Sequence, residues 1–231
     1  MRRMTATDTL TPDAPKSRAS KAQLWIEFIA LFVGVPILMA VFFEEIQQQR
    51  ALFGTVWALA LMSVLLLWRT PGWSLKMLFQ GPVFSEWRLI LGFFAFSAVT
   101  SSAFVFAINP NMFLWMVFSR PELWIMIMVA YPILSAWPQE VIYRSLFFER
   151  YGVLFSSTAL LILANGAVFG FGHVFYMNWI TISMTAVGGA VMGWAYLRNR
   201  SMALAWVLHA IAGNIVFTVG LGRFFYSGNV G

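Results

Sequence analysis

From residue 24 onward the chain is a succession of long apolar runs separated by short polar punctuation. Seven runs approach twenty residues: 24–43, 51–68, 89–108, 123–148, 154–176, 179–197 and 202–219. A helix of about 20 apolar residues crosses the roughly 30 Å hydrocarbon core of a bilayer. The pattern therefore predicts an all-α, polytopic transmembrane helical bundle of about seven spanning helices, with six to eight as the range. No internal repeat stands out, and there is no matched pair of interrupted helices of the kind that marks many secondary transporters.

Composition agrees with the pattern. Hydrophobic residues make up 60% of the chain and charged residues only 10%, well outside the usual range for a soluble domain. Residues 1–23 are the exception: they are polar, lack an apolar period and carry Arg2, Arg3, Lys16, Arg18 and Lys21. They read as a disordered cytoplasmic tail, with residues 24–231 forming a single bundle. The run after the tail is longer than a signal-peptide core, so it reads as a retained first span. With the tail inside, Arg69, Lys76, Arg88, Arg144, Arg150, Arg198 and Arg200 fall on its side, and Arg50, Arg120 and Arg223 on the other. This bias predicts a cytoplasmic N-terminus, in a protein expected in a bacterial inner membrane. The net charge of +6 is then mostly topology. No concentrated basic patch is visible, so membrane lipid is an expected partner and nucleic acid is not. Cysteine is absent, which removes disulfides, thiol catalysis and cysteine metal sites together.

Two stretches interrupt the hairpin rhythm. Residues 69–88 hold Pro71, Gly72, Gly81, Pro82 and several amphipathic aromatics, and read as a loop lying along the membrane interface. An Asn-Pro turn at Asn109-Pro110 precedes MFLWMVF, too short to span and readable as a surface helix.

The candidate chemistry lies in a few polar groups inside the later runs, where ionisable side chains are expensive and mark functional sites by default. Pro132 and Pro138 precede Gln139, Glu140 and Arg144, and suggest a bent helix that delivers Glu140 toward a cavity. The alternative is that Pro138 opens a new cytoplasmic helix and Glu140 is solvated. Glu140 and Arg144 share a helix face at four-residue spacing. Asn165, Phe169 and His173 recur at the same spacing, with Gly166, Gly170 and Gly172 clearing space nearby. His173 and His209 are the only histidines, and Asn214 follows His209 by five residues, about 140° around a regular helix. A Glu and a His can hold and deprotonate a water while a second His and an Asn donate to an oxyanion. Equally, Glu140, His173 and His209 form a three-ligand set for a single catalytic Zn2+, although no HExxH is present. Two membrane histidines could also ligate haem. Gly189 and Gly193, at GxxxG spacing, read as a helix-packing face.

Glu140-x-x-x-Arg144, Phe169-x-x-x-His173 and His209, in that order on separate apolar runs, resemble the three motifs of the CPBP family, the CAAX-protease and bacteriocin-processing, or abortive-infection, intramembrane proteases. The resemblance covers roughly residues 131–217, within a catalytic-type half at about 122–219. It implies an intramembrane endopeptidase, glutamate-type or metallo-type, acting on a membrane-associated peptide or protein, prenylated or not. It assigns water activation to His173 and an oxyanion contact to His209, with either no cofactor or one Zn2+. Two departures accompany it. The family's first motif has two adjacent glutamates, and the first, which activates water, is Gln139 here. The family's Asn four residues after the last His is here Gly213. An amide cannot act as a general base, so either Glu140 serves instead or the chain is a degenerate member that binds a peptide as an immunity or scaffold protein.

Overall fold

The computed structural model describes residues 19–48 and 51–225. Seven long helices carry it: α1 (Lys21–Val41), α2 (Leu52–Trp68), α3 (Phe84–Ile108), α4 (Pro121–Leu154), α5 (Thr158–Tyr176), α6 (Trp179–Asn199) and α7 (Met202–Val219). Six are long and apolar enough to cross a membrane, and α2, at 17 residues, is apolar but shorter. The described residues contain no strand. The protein is therefore an integral, multi-pass helical bundle. Large apolar side chains such as Phe96, Val99, Val129, Leu163 and Val187 stay exposed on its outside, as expected where lipid is the solvent.

Local chemistry sets the helix starts. Ser20, Ser157, Asn178 and Ser201 each accept a hydrogen bond from a backbone N–H of the following first turn, satisfying donors that a helix leaves open. The Ser20 cap places Lys21–Gln23 in α1, so the expected tail is shorter than residues 1–23; residues 1–18 lie outside the described residues. The first interrupting stretch holds the short turn Leu75–Leu78 and its last residues, from Phe84, already belong to α3; the second holds the turn Pro110–Met112 and the five-residue helix Trp115–Ser119.

α4 is continuous but irregular. Wide π-type turns run over Pro132–Ala136 and Val141–Leu146, either side of Glu140. A proline removes the N–H that would bond the carbonyl four residues back, so Pro132 frees Met128 and Pro138 frees Leu134. Side chains from neighbouring helices fill both vacancies: Asn214 Nδ2 donates to Met128 O at 3.2 Å and Trp57 Nε1 to Leu134 O at 3.1 Å. Trp206 Nε1 donates to Pro132 O at 2.6 Å. Such external satisfaction lets a kinked helix persist where water is scarce. It also overturns the reading in which Pro138 starts a separate helix with Glu140 in solvent, because Glu140 is fully buried.

Helices α5 and α6 approach closely on small residues. A Cβ at Gly189 would sit 2.7 Å from Phe169 Cβ, and one at Gly193 would sit 2.6 Å from Asn165 Oδ1. The GxxxG stripe is thus a packing face that brings α6 against the residues that hold the site.

At the end of α4, Arg150 makes a two-pronged ion pair with Glu27 of α1, at 2.7 and 2.9 Å. Glu149 accepts from Tyr196 at 2.7 Å and pairs with Arg200 at 2.8 Å. Arg144 and Arg150 are both buried and bonded inside the protein, so neither belongs in a count of surface cations.

Candidate active site

The bend in α4 turns adjacent residues to different tasks. Gln139 lines a cavity of about 1300 Å³, together with Tyr131 and Ser135 of α4, His173 of α5, and His209 and Gly213 of α7. Glu140, one residue on, faces the packed interior instead and does not line the cavity. The expectation that the bend delivers Glu140 to the cavity is corrected. Successive helical residues are about 100° apart, and the register set by Pro138 presents the amide inward and the carboxylate to α7.

Glu140 is tied from two sides. His209 Nδ1 donates to its Oε1 at 2.8 Å, and Arg144 Nε lies 3.0 Å from its Oε2. The arginine contact is an ion pair by distance without the alignment of a hydrogen bond, and Arg144 Nη2 has no hydrogen-bond partner. Arg144 is held instead by Nη1, which donates to Asn165 Oδ1 at 2.9 Å, and by the Phe169 ring, 4.8 Å from Cζ. Asn165 Nδ2 donates in turn to Tyr143 O at 2.7 Å. Asn165 therefore orients the arginine, the arginine compensates the carboxylate, and the carboxylate orients His209. Both charged members are shielded completely from solvent. In such surroundings removing either would strand the other.

His173 lies just beyond the regular part of α5, and its Nδ1 is 2.8 Å from Phe169 O. A carbonyl oxygen only accepts, so Nδ1 carries the proton, and a neutral imidazole keeps its lone pair on Nε2. The Phe169 ring stands edge-on to both imidazoles, its centroid 5.0 Å from His173 and 5.4 Å from His209. It is a spacer that fixes the two histidines on the same wall. Gln139 Nε2 donates to Ser135 Oγ at 2.9 Å, which leaves the amide oxygen free to accept from a molecule in the cavity.

Of the residues expected from sequence, Glu140, Arg144 and His209 form one bonded cluster, while Gln139 and His173 join His209 on the cavity wall. Asn214 does not. Its amide serves the carbonyl freed by Pro132, and it is absent from the cavity lining. The zinc set does not fit either: one Glu140 oxygen is taken by His209, the other faces a guanidinium, and the described residues hold no group of three donors that could hold a metal ion. Sequence reasoning passed over Tyr131 and Ser135. The signal was present, because 131, 135 and 139 recur at the same four-residue spacing as 165, 169 and 173.

Residues 120–215 match the family model described as type II CAAX prenyl endopeptidase Rce1-like. No curated protein and no solved structure matches the chain. Glu140, Arg144, His173 and His209 all lie inside the matched stretch, so over residues 120–215 the chain is similar to the Rce1-like, CAAX-type endopeptidases of the CPBP family.

Proposed function

We propose that the protein is an intramembrane endopeptidase that hydrolyses a peptide bond near the end of a CAAX-type, lipid-bearing or otherwise membrane-associated peptide entering the 1300 Å³ cavity. The observation that carries this is the pairing on one wall of two differently prepared imidazoles. His173 is held by a carbonyl as a neutral base. His209 is held through Nδ1 by the Glu140 carboxylate, and in this reading it works with both ring nitrogens protonated, as a donor at Nε2.

In this reading Gln139 accepts from the water through its amide oxygen and orients it, and His173 Nε2 takes its proton as the water oxygen bonds to the scissile carbonyl carbon. The C=O π pair moves onto oxygen. Glu140, Arg144 and protonated His209 together carry one positive charge, which the oxyanion balances. The oxyanion then collapses, the C–N bond breaks, and the proton on His173 passes to the departing amine. Glu140 and Arg144 touch no reacting atom and are positioning residues. No cofactor enters these steps. The positive bias of the tail and inner loops supports placing the N-terminus on the cytoplasmic side of a bacterial inner membrane.

A second reading is favoured by one specific observation, the presence of an amide rather than a carboxylate on the cavity wall at residue 139. In it the protein binds the peptide without cleaving it. Protein reconstituted in lipid nanodiscs and given a farnesylated, internally quenched peptide separates the two. Cleavage by wild type that disappears in His173→Ala supports the protease. Undiminished cleavage by His173→Ala refutes it. No cleavage by wild type, with turnover appearing in Gln139→Glu, supports the binding protein.

A further inference from the structure

A tetrahedral oxyanion is best held by two donors, and His209 supplies one. One helical turn further along α7 the chain has Gly213, which brings no side chain to the cavity wall. The space is not empty. A Cβ built there would overlap the edge of the Tyr131 ring and lie 2.5 Å from the Tyr131 hydroxyl oxygen. Tyr131 comes from α4, at the last residue before the wide turn that starts with Pro132. Its ring stands edge-on to His209 at 5.9 Å and to Phe217 at 5.7 Å, so it lies across Gly213 between side chains one turn to either side. Tyr131, Gly213 and His209 line the same cavity.

We propose that the Tyr131 hydroxyl is the second oxyanion donor of the site, and that Gly213 is there to admit it. The proposal rests on the protease reading. A phenol carries a single O–H donor on a rigid ring. Here the ring is fixed by two edge-to-face contacts, so the donor is held beside His209 before the charge develops. Both donors then reach the carbonyl from the α4–α7 wall, while His173 delivers the water from α5. The hydroxyl also explains why a residue larger than glycine is missing from α7 at the point where the two helices pinch together.

The test uses full-length protein in nanodiscs with the farnesylated quenched peptide. Tyr131→Phe keeps the ring and its packing, so apparent melting temperature and KM should stay near wild type. Removing one oxyanion donor typically lowers kcat by about 10²–10³-fold, and that loss is expected here. Gly213→Ala should lower kcat by displacing the ring, and in the double variant with Tyr131→Phe the two losses should overlap instead of multiplying. A Tyr131→Phe variant with wild-type kcat overturns the proposal and leaves the protease reading standing. Multiplying losses overturn the role given to Gly213. If neither wild type nor Gln139→Glu cleaves the peptide, the protease reading fails, and the oxyanion role with it.

Discussion

Replacing Glu140 with Gln isolates what the buried cluster contributes. The substitution keeps shape and volume but removes the charge that faces Arg144 Nε at 3.0 Å and receives His209 Nδ1 at 2.8 Å. Arg144 is then a cation with no solvent contact whose remaining partners are Asn165 Oδ1, Tyr143 O and the Phe169 ring. Breaking a buried pair on one side costs about 3–5 kcal/mol. At roughly 2–4 °C per kcal/mol for a chain of this size, the apparent melting temperature should fall by about 6–20 °C. Removing the stranded cation as well, in Glu140→Gln/Arg144→Met, should restore most of that loss, because an apolar replacement for a buried pair is often near neutral. Activity should not return, since His209 has lost the carboxylate that orients it. The assay is thermal aggregation of detergent-solubilised protein followed at one fixed heating rate, paired with peptide cleavage below the transition. A Glu140→Gln protein that melts within a degree or two of wild type would refute the reasoning, and so would a double variant no more stable than the single.

Other consequences are checked more simply. Asn214→Ala leaves the Met128 carbonyl unpaired in the bend of α4 and should destabilise by about 1–3 kcal/mol, while kcat measured well below the transition stays at the wild-type value. Gly193→Val pushes a side chain into Asn165, which is 2.6 Å from even a methyl position; overpacking of this kind costs about 1–3 kcal/mol, and here it should also reduce cleavage, because Asn165 holds Arg144. Treatment with 1,10-phenanthroline should leave cleavage unchanged, because both oxygens of Glu140, the carboxylate beside His209, are occupied by His209 and Arg144. A loss that zinc restores would show that Glu140 moves.

The bundle was legible from apolar run length because a bilayer imposes a length on any helix that crosses it, and that constraint is local to each run. The seven expected runs correspond one to one with α1–α7, with ends shifted by a few residues where a Ser or Asn cap decides the start. The candidate site was half legible. Ionisable groups at membrane depth announce themselves by their expense, and Glu140, Arg144 and His209 do converge. Which of two neighbours faces the cavity was not legible, because it depends on helix phase. Two wide turns in α4 each insert a shift that a regular 3.6-residue projection does not contain.

The proline in α4 also explains why Asn214, expected at the site, is absent from it while Tyr131, which sequence reasoning passed over, lines the cavity. A side-chain amide near a histidine invites a catalytic role, yet in this chain its first obligation is to a backbone carbonyl that Pro132 deprived of a partner. An unpaired carbonyl in a low-dielectric interior is a standing penalty, so the amide goes there and is unavailable to a substrate. The hydroxyl of Tyr131 carries no such obligation, and the glycine one turn beyond His209 gives its ring a place to lie. Backbone repair, set by a proline far along another helix, thus decides which donor is left over for chemistry.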